Sequence, residues 1–244
     1  MTGAAFVDLH CHTRASFDCL SAPGAVVKAA AERGLTHLAI TDHDRIDGAL
    51  EARDLAPDGL TVIVGEEVKT ADGDLICLFL ESAIPPGLTA AETIGAAREQ
   101  GGLVGIPHPF DGLRGSLLRD ERLAVLADRV DWIERHNARV IGQGNQRAAE
   151  FSIDRGMPGV AVSDAHSILE IGVAYTKLEG DPSTAPGLLA ALTNLASANL
   201  VPGRASLVVR AWTPVAKAVQ RSRGNRRIQP AGRETAAPRR GETR

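Results

Sequence analysis

Aromatic side chains are scarce, eight in 244 residues or 3% of the chain. The core must therefore be built from Ala, Val, Leu and Ile, and a long nucleic-acid groove lined by stacking rings is excluded. Cysteine is equally sparse. Cys11, Cys19 and Cys77 are too few, and odd in number, for a disulfide framework, which points to a reducing compartment. No apolar run approaches the ~18 residues of a membrane span. Met1–Asp8 also lacks the basic and apolar regions of a secretory signal. The expectation is a cytoplasmic chain with no membrane partner. With 44% hydrophobic residues, disorder throughout is excluded as well.

Net charge is −3, an average over two unlike parts. Residues 213–244 carry nine Lys/Arg against two Asp/Glu, or +7; the rest carries 18 against 28, or −10. From Pro214 onward hydrophobic periodicity fails and Arg, Gly, Pro and Thr dominate. The expected organisation is a folded domain over 1–212 and a disordered, dispensable basic tail over 213–244.

Within the body, short runs rich in Val, Ile and Leu alternate with Ala-rich segments, the pattern of βα units. About seven β and six α segments are legible, enough to close a barrel, and there is no internal repeat. Ser21-Ala-Pro-Gly opens the first helix, with Ser21 as N-cap and Gly34 as stop. Asp44 or Asp47 is the expected N-cap of the second. A helix is also expected near Glu121–Ala127, and the last one over Ala185–Asn199.

Six of the seven histidines lie at or just past strand ends, as do the most suggestive carboxylates. In a β/α barrel those C-terminal ends gather around one mouth. Asp8-Leu-His10-Cys-His12 places Asp8, His10 and His12 on one face of an extended strand, and Asp18 follows in the next loop. Thr41-Asp-His-Asp44 follows another strand. Gly65-Glu66-Glu67-Val68 offers one glutamate facing inward. Pro107-His108-Pro109 and Ser163-Asp-Ala-His166 complete the set. Pointing so many polar groups into one mouth stabilises nothing unless cations occupy it. The mixture of His and carboxylate suits Zn²⁺, Mn²⁺ or Fe²⁺ better than Ca²⁺ or Mg²⁺.

The series DLHCHT, AITDHD, GEEV, IPHPF, IERHNAR and SDAHS resembles, in order, the motifs of the PHP (polymerase and histidinol phosphatase) family, over about residues 5–180. The resemblance implies a distorted seven-stranded β/α barrel with two or three divalent metal ions at the strand C-termini. It implies His10, His12, Asp18, His43, Glu67, His108, Asp164 and His166 as ligands, with Glu67 rather than Glu66 as the bridge. The family's E-x-x-N asparagine falls on Asn137, and His136 stands where relatives usually carry an aromatic or apolar residue.

The implied chemistry is hydrolysis of a phosphate ester by metal-activated water, on a phosphorylated small molecule, a nucleotide or a short oligonucleotide. Asp44, His136 and Asp8 are the candidates for proton donor beside the catalytic ligand Asp164. Arg114, Arg139 and Asn137 are the candidates for substrate binding, since an Arg fork suits phosphate oxygens. Competing readings are an amidohydrolase-type C–N hydrolase, for which no bridging lysine is evident, and a non-catalytic PHP scaffold. His37 has no counterpart in the motifs and is expected to be structural.

Overall fold

The computed structural model describes residues 3–112, 125–194 and 199–228. The strands are β1 (Ala4–Asp8), β2 (His37–Ile40), β3 (Thr61–Thr70), β4 (Gly73–Leu78), β5 (Leu103–Ile106), β6 (Trp132–Asn137), β7 (Gly159–Val162), β8 (Tyr175–Glu179) and β9 (Asn199–Val201). The helices are α1 (Pro23–Glu32), α2 (Asp47–Asp54), α3 (Ala90–Glu99), α4 (Gly144–Asp154), α5 (Ala185–Thr193), α6 (Leu207–Arg210) and α7 (Trp212–Ser222).

Local sequence accounts for several boundaries. Pro23 occupies the first turn of α1, where its missing N–H costs nothing, and Gly34 follows the helix at φ +78°. Thr89 and Glu92 form a reciprocal capping box on α3. Two expected caps are corrected: Ala22, not Ser21, caps α1, and Ile46, not Asp44 or Asp47, precedes α2. Asp44 is diverted because its Oδ1 accepts from the Lys69 amide at 2.7 Å. The helix expected near 121–127 falls mostly outside the described residues.

The sheet runs β7-β6-β5-β4-β3-β2-β1-β8-β9. Strands β1–β2–β3 and β5–β6–β7 pair in parallel, and β4 is antiparallel to both β3 and β5, so these six strands point the same way. The expected count of seven strands is corrected to nine. The antiparallel pair β8 and β9 continues the sheet beyond β1, and β9 begins at Asn199, the residue expected to end the last helix, which stops at Thr193. At the mouth the two ends still meet: Cys11 bridges to Ala165, and the Ser163 amide donates to Asp8 Oδ1 at 3.0 Å. The result is a nearly closed barrel.

Alternation along the strands sorts two cores. Leu38, Ile40, Val62 and Val64 pack outward with α1 and α2, while Val7, Leu9, Ala39, Ile63 and Trp132 fill the inside. Trp132 takes most of the room beside β5, and a Cβ on Gly105 would fall 2.0 Å from its Cε2. One large ring therefore does the filling in an aromatic-poor chain.

The expectation of a disordered tail from 213 is corrected over its first part, while residues 229–244 lie outside the described residues. Residues 212–222 form a helix, and the chain remains packed on the body to Arg227. The inward face of α7 carries Ala216 and Gln220, both buried, with Thr213 partly so. Gln220 Nε2 donates to the carbonyls of Arg14 (2.7 Å), Ser16 (3.0 Å) and Cys19 (2.6 Å). Trp212, Val215, Ala216 and Val219 do recur at helical spacing, but of these only Ala216 is buried, and the inward face docks largely through hydrogen bonds.

Candidate metal centre

The C-terminal ends of the six co-directional strands surround one mouth, and the motif side chains converge there. His10 and His12, just past β1, place their Nε2 atoms 3.0 Å apart. Glu67 Oε2 lies 3.4 and 3.5 Å from those nitrogens, and Asp164 Oδ1 lies 3.6 and 3.5 Å from them. Beside this group, Asp18 Oδ2 is 3.5 Å from His43 Nε2 and 3.4 Å from His166 Nε2. Glu67 spans the mouth: Oε2 is 3.1 Å from His43 Nδ1, and Oε1 is 3.3 Å from His108 Nε2. All eight residues expected as ligands are thus brought together, and Glu67, not Glu66, is the central glutamate. Glu66 turns away and accepts from the Ile84 amide at 2.9 Å.

The far nitrogens of His10, His12 and His166 are committed. His10 Nδ1 donates to Glu134 Oε1 at 2.5 Å. His12 Nδ1 donates to Ser16 Oγ at 3.1 Å, and that hydroxyl donates to Asp42 Oδ1 at 2.7 Å while accepting from the His43 amide at 3.1 Å. His166 Nδ1 donates to the Asp164 carbonyl at 2.9 Å. In the neutral rings each Nε2 is therefore a bare lone pair. Lone pairs of His10 and His12 face each other and two carboxylates at 3.0–3.6 Å, an arrangement that repels itself unless a positive charge sits between.

Among the described residues, Asp18 Oδ1, His43 Nδ1 and His108 Nδ1 are buried with no hydrogen-bond partner. Two sets of donors, His12–His43–His166 and His10–His12–Glu67, have their ligand atoms close enough to share an ion. The nitrogen and carboxylate donors fit a divalent transition metal.

The buried side chains of the cluster also set one another's charge. Burial disfavours a charged His10, but Asp164 and Glu134 outweigh it and hold its pKa well above the usual value. Burial and the neighbouring His166 push His12 well below. Against burial, His43, His10 and His108 hold Glu67 ionised far below the ordinary carboxylate range, and His166 and His43 do the same for Asp18. His43, opposed by burial but flanked by Glu67 and Asp18, rises to about 9.

Strain marks the same positions. Asp44 (φ 57°), His108 (φ 24°) and Asp164 (φ 51°) all adopt left-handed backbone at strand ends. Asp tolerates this region; His108, between two prolines, is held there by its amide donating to Glu134 Oε2 at 2.7 Å.

Four sequence expectations are corrected and one is not testable. His136 does not reach the mouth. A register shift in β6 between Glu134 and His136 turns Glu134 and Asn137 inward and His136 outward. There His136 Nε2 donates to the Gly203 carbonyl at 2.7 Å and lines a separate cavity of about 600 Å³. Arg139 is buried, bonded through Nη1 to Glu170 Oε1 and through Nη2 to Thr213 Oγ1 at 2.7 Å. Glu170 Oε2 in turn accepts from the His166 amide at 3.0 Å, so Arg139 steadies the His166 loop instead of facing substrate. Asn137 Nδ2 donates to Glu134 Oε2 (2.8 Å) and Asp164 Oδ2 (3.0 Å), which positions Asp164. Asp44 is not a free acid, since Oδ1 accepts from Lys69 and Oδ2 faces Arg227 Nε at 3.3 Å. Arg114 lies outside the described residues.

Residues that were not singled out also matter. Glu134 orients His10, although it sits inside the IERHNAR segment. Asp42, inside AITDHD, anchors Ser16 and accepts from Thr13 N and Oγ1 at 2.7 Å each. Its packing leaves no room at Gly48, where a Cβ would lie 2.2 Å from Asp42 Oδ2. Outer partners of this kind fix tautomer and ring direction at metal sites.

The PHP domain family matches residues 8–140, over half of the chain, and the PHP-associated family matches residues 142–196. The chain belongs to the PHP family. An uncharacterized protein of Methanocaldococcus jannaschii is 30% identical over 217 residues, 84% of this PHP chain and 86% of the relative. Two solved structures share the fold at 19% identity. One is a two-domain Bacteroides vulgatus protein containing a predicted PHP-like metal-dependent phosphoesterase (TM-score 0.70, 83% of this chain). The other is endonuclease Q in complex with a 27-mer duplex bearing an abasic lesion (TM-score 0.63, 81% of this chain). The PHP chain spans 66% of the first and 58% of the second.

Proposed function

We propose that this chain is a metal-dependent phosphoesterase acting on a phosphorylated small molecule, a nucleotide or the end of a short oligonucleotide. One observation carries the proposal: His10, His12, Glu67 and Asp164 aim lone pairs at a common point, with His10, His12 and Asp164 held from behind by Glu134, Ser16 and Asn137. His10, His12, Glu67 and Asp164 would hold one ion, and Asp18, His43 and His166 a second. Glu67 and His108 face each other where a third would sit, so two or three Zn²⁺, Mn²⁺ or Fe²⁺ ions are proposed. Such ions supply Lewis acidity, making water nucleophilic near neutral pH and offsetting phosphoryl charge.

The protein's own part is geometric and electrostatic. A cavity of about 240 Å³ opens over the cluster, lined by Phe17, Asp18, His43, Glu67, His108 and Asp164 among others, a size that suits a phosphoryl group and part of its ester. The likeness in fold to endonuclease Q supports keeping a short oligonucleotide among the substrates. The scarcity of aromatic rings argues against a long strand. Among the described residues no helix is long and apolar enough to cross a membrane.

The test is metal analysis of the purified chain, coupled to a panel of phosphate esters and amides with and without chelator. At least one bound ion per chain is expected, with phosphate release that chelation or Asp164→Ala abolishes. Less metal than that, activity indifferent to Asp164→Ala, or amide cleavage without phosphate release would each overturn the reading.

A further inference from the structure

The cavity over the metal centre is strongly acidic, with Asp18, Glu67, Asp74 and Asp164 in its lining. Among the described residues, the Lys and Arg side chains lining it are two, Lys217 and Arg227. Both come from the C-terminal arm, which lies beyond both family matches. The arm is firmly seated. Gln220 grips three carbonyls of the loop bearing Asp18, and Asn225 Nδ2 donates to the Ala15 carbonyl of the same loop at 3.0 Å.

Arg227 is held from behind by Asp44 (3.3 Å to Nε) and Asp74 (2.9 Å to Nη2), leaving Nη1 out of those bonds. Its guanidinium carbon lies 5.8 Å from the Phe17 ring centroid, and Lys217 Nζ lies 5.3 Å from it, so Phe17 spaces the two cations at the rim. Lys217 Nζ is 3.8 Å from Asp18 Oδ2 with nearly half of its side chain exposed, free to turn toward an entering anion.

Resting on the phosphoesterase reading, we infer that Lys217 and Arg227 form the phosphate-holding wall of this site, so that the C-terminal arm is part of the substrate pocket. Metal ions neutralise the carboxylates at the cavity floor, and the substrate's outward phosphate oxygens then need cations at the rim. Arg227 supplies a pre-oriented N–H and Lys217 a mobile point charge. Asp44 and Asp74 act as positioning residues that fix the guanidinium.

The probe is inorganic phosphate, titrated calorimetrically into the metal-loaded full chain, with p-nitrophenyl phosphate hydrolysis followed in parallel. Lys217→Glu and Arg227→Gln are each expected to weaken phosphate binding by about tenfold or more, the scale of one charged hydrogen bond. Lys217→Arg should stay within about threefold of the parent, with metal content unchanged in every variant. Unchanged phosphate affinity in Lys217→Glu and in folded Arg227→Gln, with parental hydrolysis intact, removes the arm from the pocket and leaves the phosphoesterase reading standing. If Arg227→Gln does not fold, the exposed Lys217 variants decide alone. A metal-loaded parent that neither binds phosphate nor hydrolyses the ester overturns both.

Discussion

His10 Nδ1 and Glu134 Oε1 are joined by a 2.5 Å hydrogen bond between two fully buried side chains, one just past β1 and the other in β6. The bond assigns the proton to Nδ1 and leaves Nε2 to face Glu67 and Asp164. Glu134→Ala is therefore expected to lower metal affinity about 10- to 100-fold, the usual effect of losing an orienting carboxylate. Chelator competition on the folded variant measures this. Unaltered affinity would mean that His10 is oriented by something else.

Ser16→Ala tests the second relay. It removes the acceptor for His12 Nδ1 and for the His43 amide and takes one of the two donors from Asp42 Oδ1, so metal affinity should fall by about tenfold or more and stability by roughly 1–3 kcal/mol. Thermal melts with and without metal separate the two losses.

Metal removal should itself destabilise the chain. The facing lone pairs of His10 and His12 and the buried carboxylates Asp18, Glu67 and Asp164 would lose their counter-charge on chelation. Metal at 100 times its Kd adds about 2.7 kcal/mol, so the melting temperature should fall clearly with chelator and recover on readdition. An identical melting temperature in both states would contradict an ion at this cluster.

His136→Ala should leave any phosphatase rate within about twofold, because the ring faces the Gly203 carbonyl and not the mouth, whereas Asn137→Ala should depress it through Asp164. Truncation after Ala211, harmless if the tail were a solvated extension, is expected instead to lower the melting temperature and raise KM. It exposes the loop carbonyls held by Gln220 and removes Lys217 and Arg227.

His37 provides a pH test remote from the metal centre. Burial lowers its pKa, and Asp181 only partly opposes this. The native state therefore binds that proton less readily than the unfolded chain. Its contribution is fully present above the ordinary histidine value near 6.5 and is lost as pH falls below it. Denaturant unfolding at pH 8 and pH 5 should show a smaller acid-side loss in His37→Gln than in the parent.

Much of this was legible in residue order. The βα alternation and the strand-end histidines follow from periods of two and 3.6 and from the clustering of donors that only a cation makes tolerable, while the choice of Glu67 over Glu66 came from the resemblance to the PHP motifs. What tertiary structure decided were matters of direction and partnership. A one-residue bulge in β6 sent His136 outward and Asn137 inward, which no spacing within β6 reveals. Arg139 became a brace because Glu170 and Thr213 lie within reach of it only after folding. The basic C-terminal segment, unpromising by composition, lines the cavity because α7 docks through Gln220 and Thr213, hydrogen bonds to partners far away in the chain. Sequence determined which chemistry gathers at the mouth, since that depends on residue type and strand position. Only the packed structure determined which side chains face it, since that depends on partners far apart in the chain.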